Sequence, residues 1–143
     1  MKVLVTGGAG YLGSQLTRLL LRDGHQVRVM DSLMYGGASL LGLWHDTGFE
    51  FVRGDVRSAQ AMDKALDGGA AVVHLAAIVG DPACALQPDA AREINLAASQ
   101  SCLELSRKRG VKRLVFASTC SNYGVMTDTS EYATEESELS PVS

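Results

Sequence analysis

The sequence has no long apolar run and only three cysteines, and both shortages exclude classes of protein. A helix that spans a membrane needs about 20 consecutive apolar residues, a length that no run here approaches. The three apolar residues after Lys2 are too few for the core of a signal peptide. Cys84, Cys102 and Cys120 are an odd number at spacings of 18, which match no zinc or redox motif. We therefore expect a cytoplasmic protein with reduced thiols, no metal and no membrane partner.

The chain also lacks an excess of basic charge. Its net charge is −3 and its pI is near 5.5, and lysine and arginine are scattered except at 107–109. That cluster lies at the end of a predicted helix, where cations complement the dipole, so we interpret it as structural. Nucleic acid is therefore not an expected partner. A length of 143 residues, 46% of them apolar and 20% charged, is ordinary for one globular domain.

The chain begins with a glycine-rich stretch. Lys2 to Thr6 is a β-branched and apolar run typical of a buried parallel strand. Gly7, Gly10 and Gly13 follow at intervals of three, and an apolar-periodic segment from Ser14 predicts a helix. Such a unit binds anions: the first glycine makes the tight turn, the second admits a pyrophosphate, and the third lets the helix lie close to the strand. A glycine-rich turn without a ligand is the alternative.

Strands and helices alternate along the rest of the chain. The runs that predict strands lie at 2–6, 26–30, 50–53, 71–75 and 112–117. Helical spacing is found at 14–23, 58–66 and 89–108, with a short helix at 38–45 and a looser connection at 76–88. This alternation predicts a Rossmann-type α/β fold, a doubly wound parallel sheet with the strand order 3-2-1-4-5, truncated before the later strands.

Asp31 ends the second predicted strand, 18 residues after Gly13. An acid at this position can accept hydrogen bonds from both hydroxyl groups of an adenosine ribose. Its charge would repel a 2′-phosphate, and Ser32 supplies no cation to compensate, so these residues favour NAD over NADP. The alternative is that Asp31 merely begins a turn.

A longer set of motifs resembles a known family. The set comprises Val5-Thr-Gly-Gly-Ala-Gly-Tyr-Leu-Gly13, Gly54-Asp55-Val56, His74-Leu-Ala-Ala77, Asn95 and Phe116-Ala-Ser-Thr-Cys-Ser-Asn-Tyr-Gly124. In order and spacing it resembles the extended short-chain dehydrogenases/reductases, the NAD-dependent epimerases and dehydratases of nucleotide sugars. The resemblance covers residues 2–124. It implies an NAD-binding Rossmann domain at 1–124 and a polar loop at 125–143 that leads toward a missing catalytic helix.

The resemblance also implies roles for individual residues. The pyrophosphate of NAD would contact the backbone of Gly7, Gly10, Tyr11, Leu12 and Gly13. The adenosine end would be bound by Asp31, Ser32, Asp55 and Val56, and the dinucleotide would lie along Leu75, Ala76 and Ala77. Asn95 would position the loop after the fourth strand near the nicotinamide half, and Ser118 would contact cofactor or backbone. A polar residue on a solvated helix face is the alternative for Asn95, and His74 is interpreted as a packed strand residue.

Thr119 is the catalytic residue that the resemblance implies. It lies four residues before Tyr123-Gly124, at the carboxyl end of a central strand. There its hydroxyl would orient a substrate carbonyl or hydroxyl while hydride moves to or from NAD. From the residues alone, Ser118 and Thr119 could equally cap a following turn.

The Tyr-x-x-x-Lys pair that transfers the proton in this family is missing from the 143 residues. The residues four positions after the four tyrosines are Gln15, Ser39, Thr127 and Glu136. We therefore expect the chain to be the amino-terminal part of a larger enzyme, a homodimer when complete, whose catalytic tyrosine follows soon after Ser143. For these residues alone we expect NAD binding without turnover.

The function predicted for the complete protein is that of a nucleotide-sugar epimerase or dehydratase that works by transient hydride transfer to NAD. Two alternatives stay open. An NAD-binding sensor or regulatory module of the atypical short-chain group would have lost the base. A reductase of a small carbonyl substrate would share the same front half, although many such reductases prefer NADP.

Overall fold

The computed structural model describes residues 1–124 and 132–141, and its strands form one parallel sheet. The strands are β1 (Lys2–Thr6), β2 (Gln26–Asp31), β3 (Phe49–Arg53), β4 (Ala71–His74) and β5 (Arg113–Phe116). They lie in the order β3-β2-β1-β4-β5, and each neighbouring pair is parallel. The predicted Rossmann-type order is therefore confirmed. The polar loop predicted at 125–143 lies outside the described residues at 125–131 and 142–143.

Helices cover the sheet. They are α1 (Tyr11–Arg22), α2 (Ala59–Ala65), α3 (Asp81–Leu86), α4 (Pro88–Arg92) and α5 (Ala98–Lys108). A π-helical turn (Glu93–Ala97) joins α4 to α5, and short 3₁₀ turns lie at Ala38–Leu43 and Cys120–Tyr123. Among the described residues, no helix is both long and apolar enough to cross a membrane.

Strand β1 is central and buried on both faces. Val3 and Val5 pack in one cluster with Val29 of β2, whereas Leu4 packs in the other cluster with Met62 of α2. Successive side chains of a strand point to opposite faces, so an uninterrupted apolar run requires cover on both sides. Because all neighbouring strands are parallel, their carboxyl ends meet at one edge of the sheet. The loops after β1, β2 and β4 come together at this edge.

Helix α1 begins at Tyr11, three residues earlier than predicted. Tyr11 and Leu12 are 89% and 59% exposed, so they contribute nothing to the apolar periodicity on which the prediction depended. Gly24, with a φ of 78°, ends the helix as expected. The earlier start places Gly13 inside the first turn of α1.

The connection predicted at 76–88 is wrong, because it contains helix α3. Pro82 lies in the first turn of α3, where a missing N–H removes no intrahelical hydrogen bond. The helix predicted at 89–108 begins at Pro88 and is interrupted by the π-helical turn at 93–97.

Arg28 on β2 is buried and faces helix α2. Its Nη1 donates to the backbone oxygens of Ala65, at 2.6 Å, and Asp67, at 2.8 Å. Its Nε lies 2.9 Å from a carboxylate oxygen of Glu50. A cation at the C-terminal end of a helix is favourable, so Arg28 fixes α2 to the sheet and is not a phosphate ligand.

Strand β5 forms one edge of the sheet, as expected. Val115 and Phe116 are 48% and 54% exposed there, in contrast to the buried residues of β1. At the end of α5, Arg109 pairs with Asp63 and donates to it through Nε at 2.7 Å. Arg107 and Lys108 lie in the last turn of α5, which confirms the predicted position of the basic cluster at a helix end.

Candidate functional site

The turn from β1 into α1 has no space for side chains at three glycines. Gly7 has a φ of 70°, and a Cβ there would lie 2.8 Å from the backbone nitrogen of Ala76. A Cβ at Gly13 would overlap the carbonyl oxygen of Gly7, so the first turn of α1 rests directly on the loop. Gly8, which sequence reasoning missed, would place a Cβ 2.5 Å from Val29 Cγ1. The tight turn and close helix contact predicted at Gly7 and Gly13 are thus present.

Gly10 borders open space at the start of α1. A Cβ there would meet only the carbonyl oxygen of Gly7, at 3.2 Å, and α1 begins at the next residue. The first amide groups of a helix have no acceptor within the helix, and the positive end of its dipole faces the same way. This arrangement suits a pyrophosphate.

Asp31 joins the loop after β1 to the loop after β2. Its Oδ2 accepts from the backbone N–H of Ala9 at 2.9 Å, and its Oδ1 accepts from that of Leu33 at 2.8 Å. The bond to Leu33 fits the turn alternative, but the bond to Ala9 reaches across to the glycine loop. Each carboxylate oxygen keeps further acceptor capacity, so two donors of a ligand can still be bound.

A cavity of about 550 Å³, here the first cavity, opens at the carboxyl ends of β1, β2 and β4. The predicted binding residues in its wall are Gly7, Gly10, Tyr11, Leu12, Gly13, Asp31, Ser32, Asp55, Val56, Leu75, Ala76, Ala77 and Ser118. Asn95 and Thr119 do not line it. Sequence reasoning missed further lining residues, among them Met34, Tyr35, Ile78, Val79 and Ile94. These are apolar or aromatic residues with no distinctive spacing, so the sequence contained no signal for them.

Asp55 is bound by Arg57, two residues later. Arg57 donates through Nη2 to Asp55 at 2.6 Å and through Nη1 to Glu93 at 3.0 Å. The hydrogen bond from Arg57 holds the pKa of Asp55 below its usual range, so this carboxylate is charged at neutral pH. Asp55 therefore remains an acceptor beside the cavity. Sequence reasoning missed Arg57, although the Asp-x-Arg spacing is a signal that could have identified it.

Asn95 holds the loop after β4 through both atoms of its amide. Its Oδ1 accepts from the backbone N–H of Ile78 at 2.8 Å, and its Nδ2 donates to the carbonyl of the same residue at 2.8 Å. The alternative of a solvated helix face is therefore wrong for Asn95. Its predicted position near the nicotinamide stays a prediction. His74, only 2% exposed, lies among Thr6, Ser99 and Phe116, which confirms its interpretation as a packed strand residue.

A second cavity, of about 780 Å³, adjoins the first. The two cavities share the wall formed by 75–79 together with Ala117 and Ser118. Asn95, Ser99, Thr119 and Asn122 line the second cavity only, as does Cys84, whose Sγ lies 3.5 Å from the carbonyl oxygen of Ile78.

Thr119 caps the 3₁₀ turn at Cys120–Tyr123. Its Oγ1 accepts from the backbone N–H of Ser121 at 3.1 Å, and the Ser118 hydroxyl accepts from the Asn122 side chain at 3.2 Å. The capping alternative from the sequence is therefore present. It does not remove the catalytic hypothesis, because a hydroxyl that accepts a hydrogen bond can still donate its own proton into the second cavity. Within the described residues, no group of three or more His, Cys, Asp and Glu could hold a metal.

The glycine loop, the strand order and the first cavity define a dinucleotide-binding Rossmann domain. The family model that matches the chain is that of the NAD dependent epimerase/dehydratase family, over residues 3–143. The chain belongs to this family, as its motifs indicated. The family is NAD dependent, in agreement with the cofactor predicted from Asp31.

Relatives within the family act on nucleotide sugars. The UDP-glucose 4-epimerase of Streptomyces lividans is 36% identical over 126 residues, which are 86% of this chain and 37% of that protein. The UDP-glucose 4-epimerase of Thermus thermophilus, in complex with NAD, superposes with a TM-score of 0.87 at 34% identity, over 99% of this chain and 45% of that one. DesIV of Streptomyces venezuelae, a dTDP-glucose 4,6-dehydratase with NAD and TYD bound, gives 0.90 at 36% identity, over 99% and 46%. The chain thus spans less than half the length of each.

Proposed function

We propose that this chain is the NAD-binding part of a nucleotide-sugar epimerase or dehydratase. The observation that carries the proposal is the first cavity, which brings thirteen of the predicted binding residues to one edge of the sheet. The relatives bound to NAD and to nucleotides support the same interpretation.

The residues of the first cavity fit NAD in shape and in charge. Gly7, Gly10 and Gly13 keep the loop free of side chains where a pyrophosphate would approach the amide groups. Asp31 has one acceptor position left on each oxygen for the two ribose hydroxyls, and its negative charge disfavours the 2′-phosphate of NADP. Leu75, Ala76 and Ala77 would lie along the dinucleotide, with Asp55 and Val56 at the adenine.

NAD, when bound, supplies the site that accepts and returns hydride. The chain's own residues would place a nucleotide sugar against it in the second cavity. We propose that the Thr119 hydroxyl donates to a substrate oxygen and that Ser118, in the shared wall, faces the cofactor. Because Tyr-x-x-x-Lys is absent, no residue of these 143 would transfer the proton. We propose NAD binding without turnover for these residues, and a cytoplasmic homodimer for the complete enzyme.

The cofactor proposal is tested by titrating the chain with NADH and with NADPH and following nicotinamide fluorescence. We expect NADPH to bind at least about tenfold more weakly, because the Asp31 carboxylate opposes its extra phosphate. Asp31→Asn should bind NADH more weakly and should lose most of this discrimination. Tighter binding of NADPH by the unmodified chain would contradict the proposal.

Asp46→Asn is the matched control for Asp31→Asn. Asp46 accepts from the backbone N–H of Gly48, two residues later, at 2.8 Å, as Asp31 does from Leu33, but it lies outside the first cavity. The control should leave both affinities unchanged. Steady epimerase or reductase turnover by the purified 143-residue chain would show that the proposed lack of a proton-transfer group is wrong.

A further inference from the structure

Three polar side chains, those of Thr6, His74 and Ser99, are joined by hydrogen bonds beside the shared wall of the two cavities, and Ser99 continues the series to the backbone of Asn95. The Thr6 hydroxyl lies 2.8 Å from His74 Nδ1, and His74 Nε2 lies 3.0 Å from the Ser99 hydroxyl. Ser99 in turn donates to the backbone carbonyl oxygen of Asn95 at 2.8 Å. The side chain of the same residue, Asn95, separately makes its two hydrogen bonds to the backbone of Ile78. We call Thr6, His74, Ser99 and Asn95 the histidine relay.

The number of available protons fixes the protonation state of His74. A carbonyl oxygen can only accept, so the single hydroxyl proton of Ser99 is used on Asn95. Ser99 must then accept from His74, which places the ring proton on Nε2. The opposite nitrogen, Nδ1, is left to accept from the hydroxyl of Thr6. The relay is complete only with a neutral imidazole in this one tautomer.

The ends of the relay hold the backbone that forms the shared wall. Thr6 Oγ1 lies 3.3 Å from the backbone nitrogen of Leu75 and 3.4 Å from that of Ala76, and both N–H groups donate to it. The Leu75 N–H also donates to the backbone oxygen of Thr6, at 3.1 Å. Ala76 is the residue that a Cβ at Gly7 would strike. The other end holds Ile78 through Asn95. The Thr6 and Asn95 side chains therefore hold the loop after β4 at two points, Leu75–Ala76 and Ile78.

We propose that His74 is a positioning residue of the cofactor site: its neutral Nε2–H imidazole, held between Thr6 and Ser99, fixes the wall against which NAD binds. This inference rests on the proposed NAD-binding function. His74 lines the second cavity but offers it no free polar atom, because both ring nitrogens are occupied by the relay.

The surroundings of His74 favour the neutral ring. Thr6 of β1, Ser99 of α5 and Phe116 of β5 face the imidazole, and none of these side chains is charged. Burial lowers the pKa of His74 below its ordinary value. A buried imidazolium would also present a second N–H to Thr6, whose oxygen already accepts from two backbone amides.

The tautomer is tested directly by long-range ¹H–¹⁵N NMR of the imidazole groups in the 143-residue chain near neutral pH. We expect one buried histidine with the proton on Nε2 and an unprotonated Nδ1. His74→Asn identifies the resonance by its loss, and His45→Asn, at an exposed histidine, is the control. A protonated ring, the Nδ1–H tautomer or a mixture of the two would overturn the proposal.

The positioning role is tested by NADH affinity in variants that change one hydroxyl. Thr6→Val and Ser99→Ala should each weaken NADH binding about 3- to 10-fold, the effect of one lost hydrogen bond, in protein whose circular dichroism shows it to be folded. Thr6→Ser and Ser99→Thr keep the hydroxyl and should restore binding. Ser101→Ala, on the same helix but outside the relay, is the matched control.

The outcomes separate the two proposals. If the unmodified chain fails to bind NADH, the proposed function fails. If it binds NADH but Thr6→Val and Ser99→Ala bind equally well, the relay is only structural and the positioning role is overturned. Lower thermal stability of these variants with unchanged affinity has the same meaning.

Discussion

The two cavities share a wall but are built from different parts of the chain. Beside the glycine loop, the first is shaped by backbone: glycines that exclude side chains, the open end of α1, and a carboxylate that is hydrogen-bonded to two loops. The second is shaped by side chains on helical turns, chiefly Asn95 and Ser99, and by Thr119, which caps one. Positions where the backbone itself forms the wall accept few substitutions. Positions where side chains form the wall can change their polar groups without a change of fold. Under the proposed function, cofactor binding and substrate recognition would therefore vary independently within one domain.

The largest effect should come from adding a side chain at Gly7, where the loop beside the first cavity has no space for one. Gly7→Ala combines a positive φ with a Cβ 2.8 Å from the backbone nitrogen of Ala76, and we expect it to cost about 3 kcal/mol or more and to abolish NADH binding. Gly24→Ala has a similar φ of 78° but open space, so it should cost about 1 kcal/mol and leave binding intact. Urea unfolding and NADH titration measure both. Equal losses in the two variants would show that the close approach to Ala76 is unimportant.

The sequence allowed much of the first cavity to be predicted, because its features are local. A strand, three glycines and an acid at the end of the next strand lie within 31 residues, and each acts through its own backbone or charge. The start of α1 was misplaced because Tyr11 and Leu12 are exposed and carry no apolar signal.

The side-chain bonds of the second cavity were harder to predict. The two hydrogen bonds between Asn95 and Ile78 join residues 17 positions apart. They depend on the path of the chain through helix α3, which the sequence did not indicate, and through a π-helical turn. The pairing of His74 with Ser99 likewise requires knowing which face of α5 meets β4. Such contacts follow from tertiary packing, which periodicity alone does not specify.

An intermediate effect on stability should appear on acidification, which protonates His74 beside the shared wall. Because burial lowers the pKa of His74 in the folded chain from its ordinary 6.5, the unfolded chain binds more protons just below that pH. The free energy of unfolding should therefore fall as the pH drops from about 7 to about 5. The lowered pKa of Asp55, caused by Arg57, should add a later loss as the pH falls below 3.8, its ordinary value.

Urea unfolding over a pH series measures these slopes. His74→Asn should flatten the slope between about pH 5 and about pH 7, whereas His45→Asn should keep it. A slope unchanged in His74→Asn would mean that another group titrates in this range.

The smallest effect should come from the second cavity. Thr119→Val removes the cap of the turn at Cys120–Tyr123 and should cost about 1 kcal/mol or less. Because Thr119 does not line the first cavity, NADH affinity should stay within about twofold of the unmodified chain. Thr119→Ser keeps the hydroxyl and should match the unmodified chain in both measurements. A tenfold loss of NADH affinity in Thr119→Val would show that the two cavities are not independent.

The π-helical turn at Glu93–Ala97 makes the length of this stretch a constraint in its own right. Each residue of an α-helix turns the chain by about 100°, so the residue count through the turn sets the angular phase of everything after it. Cys102 and Ser106 face the core only in the present phase. Deletion of a single residue within 93–97 would rotate α5 by about 100° and bring polar side chains against β4. Substitutions in this turn change one contact, whereas a change of length would misalign a whole helix.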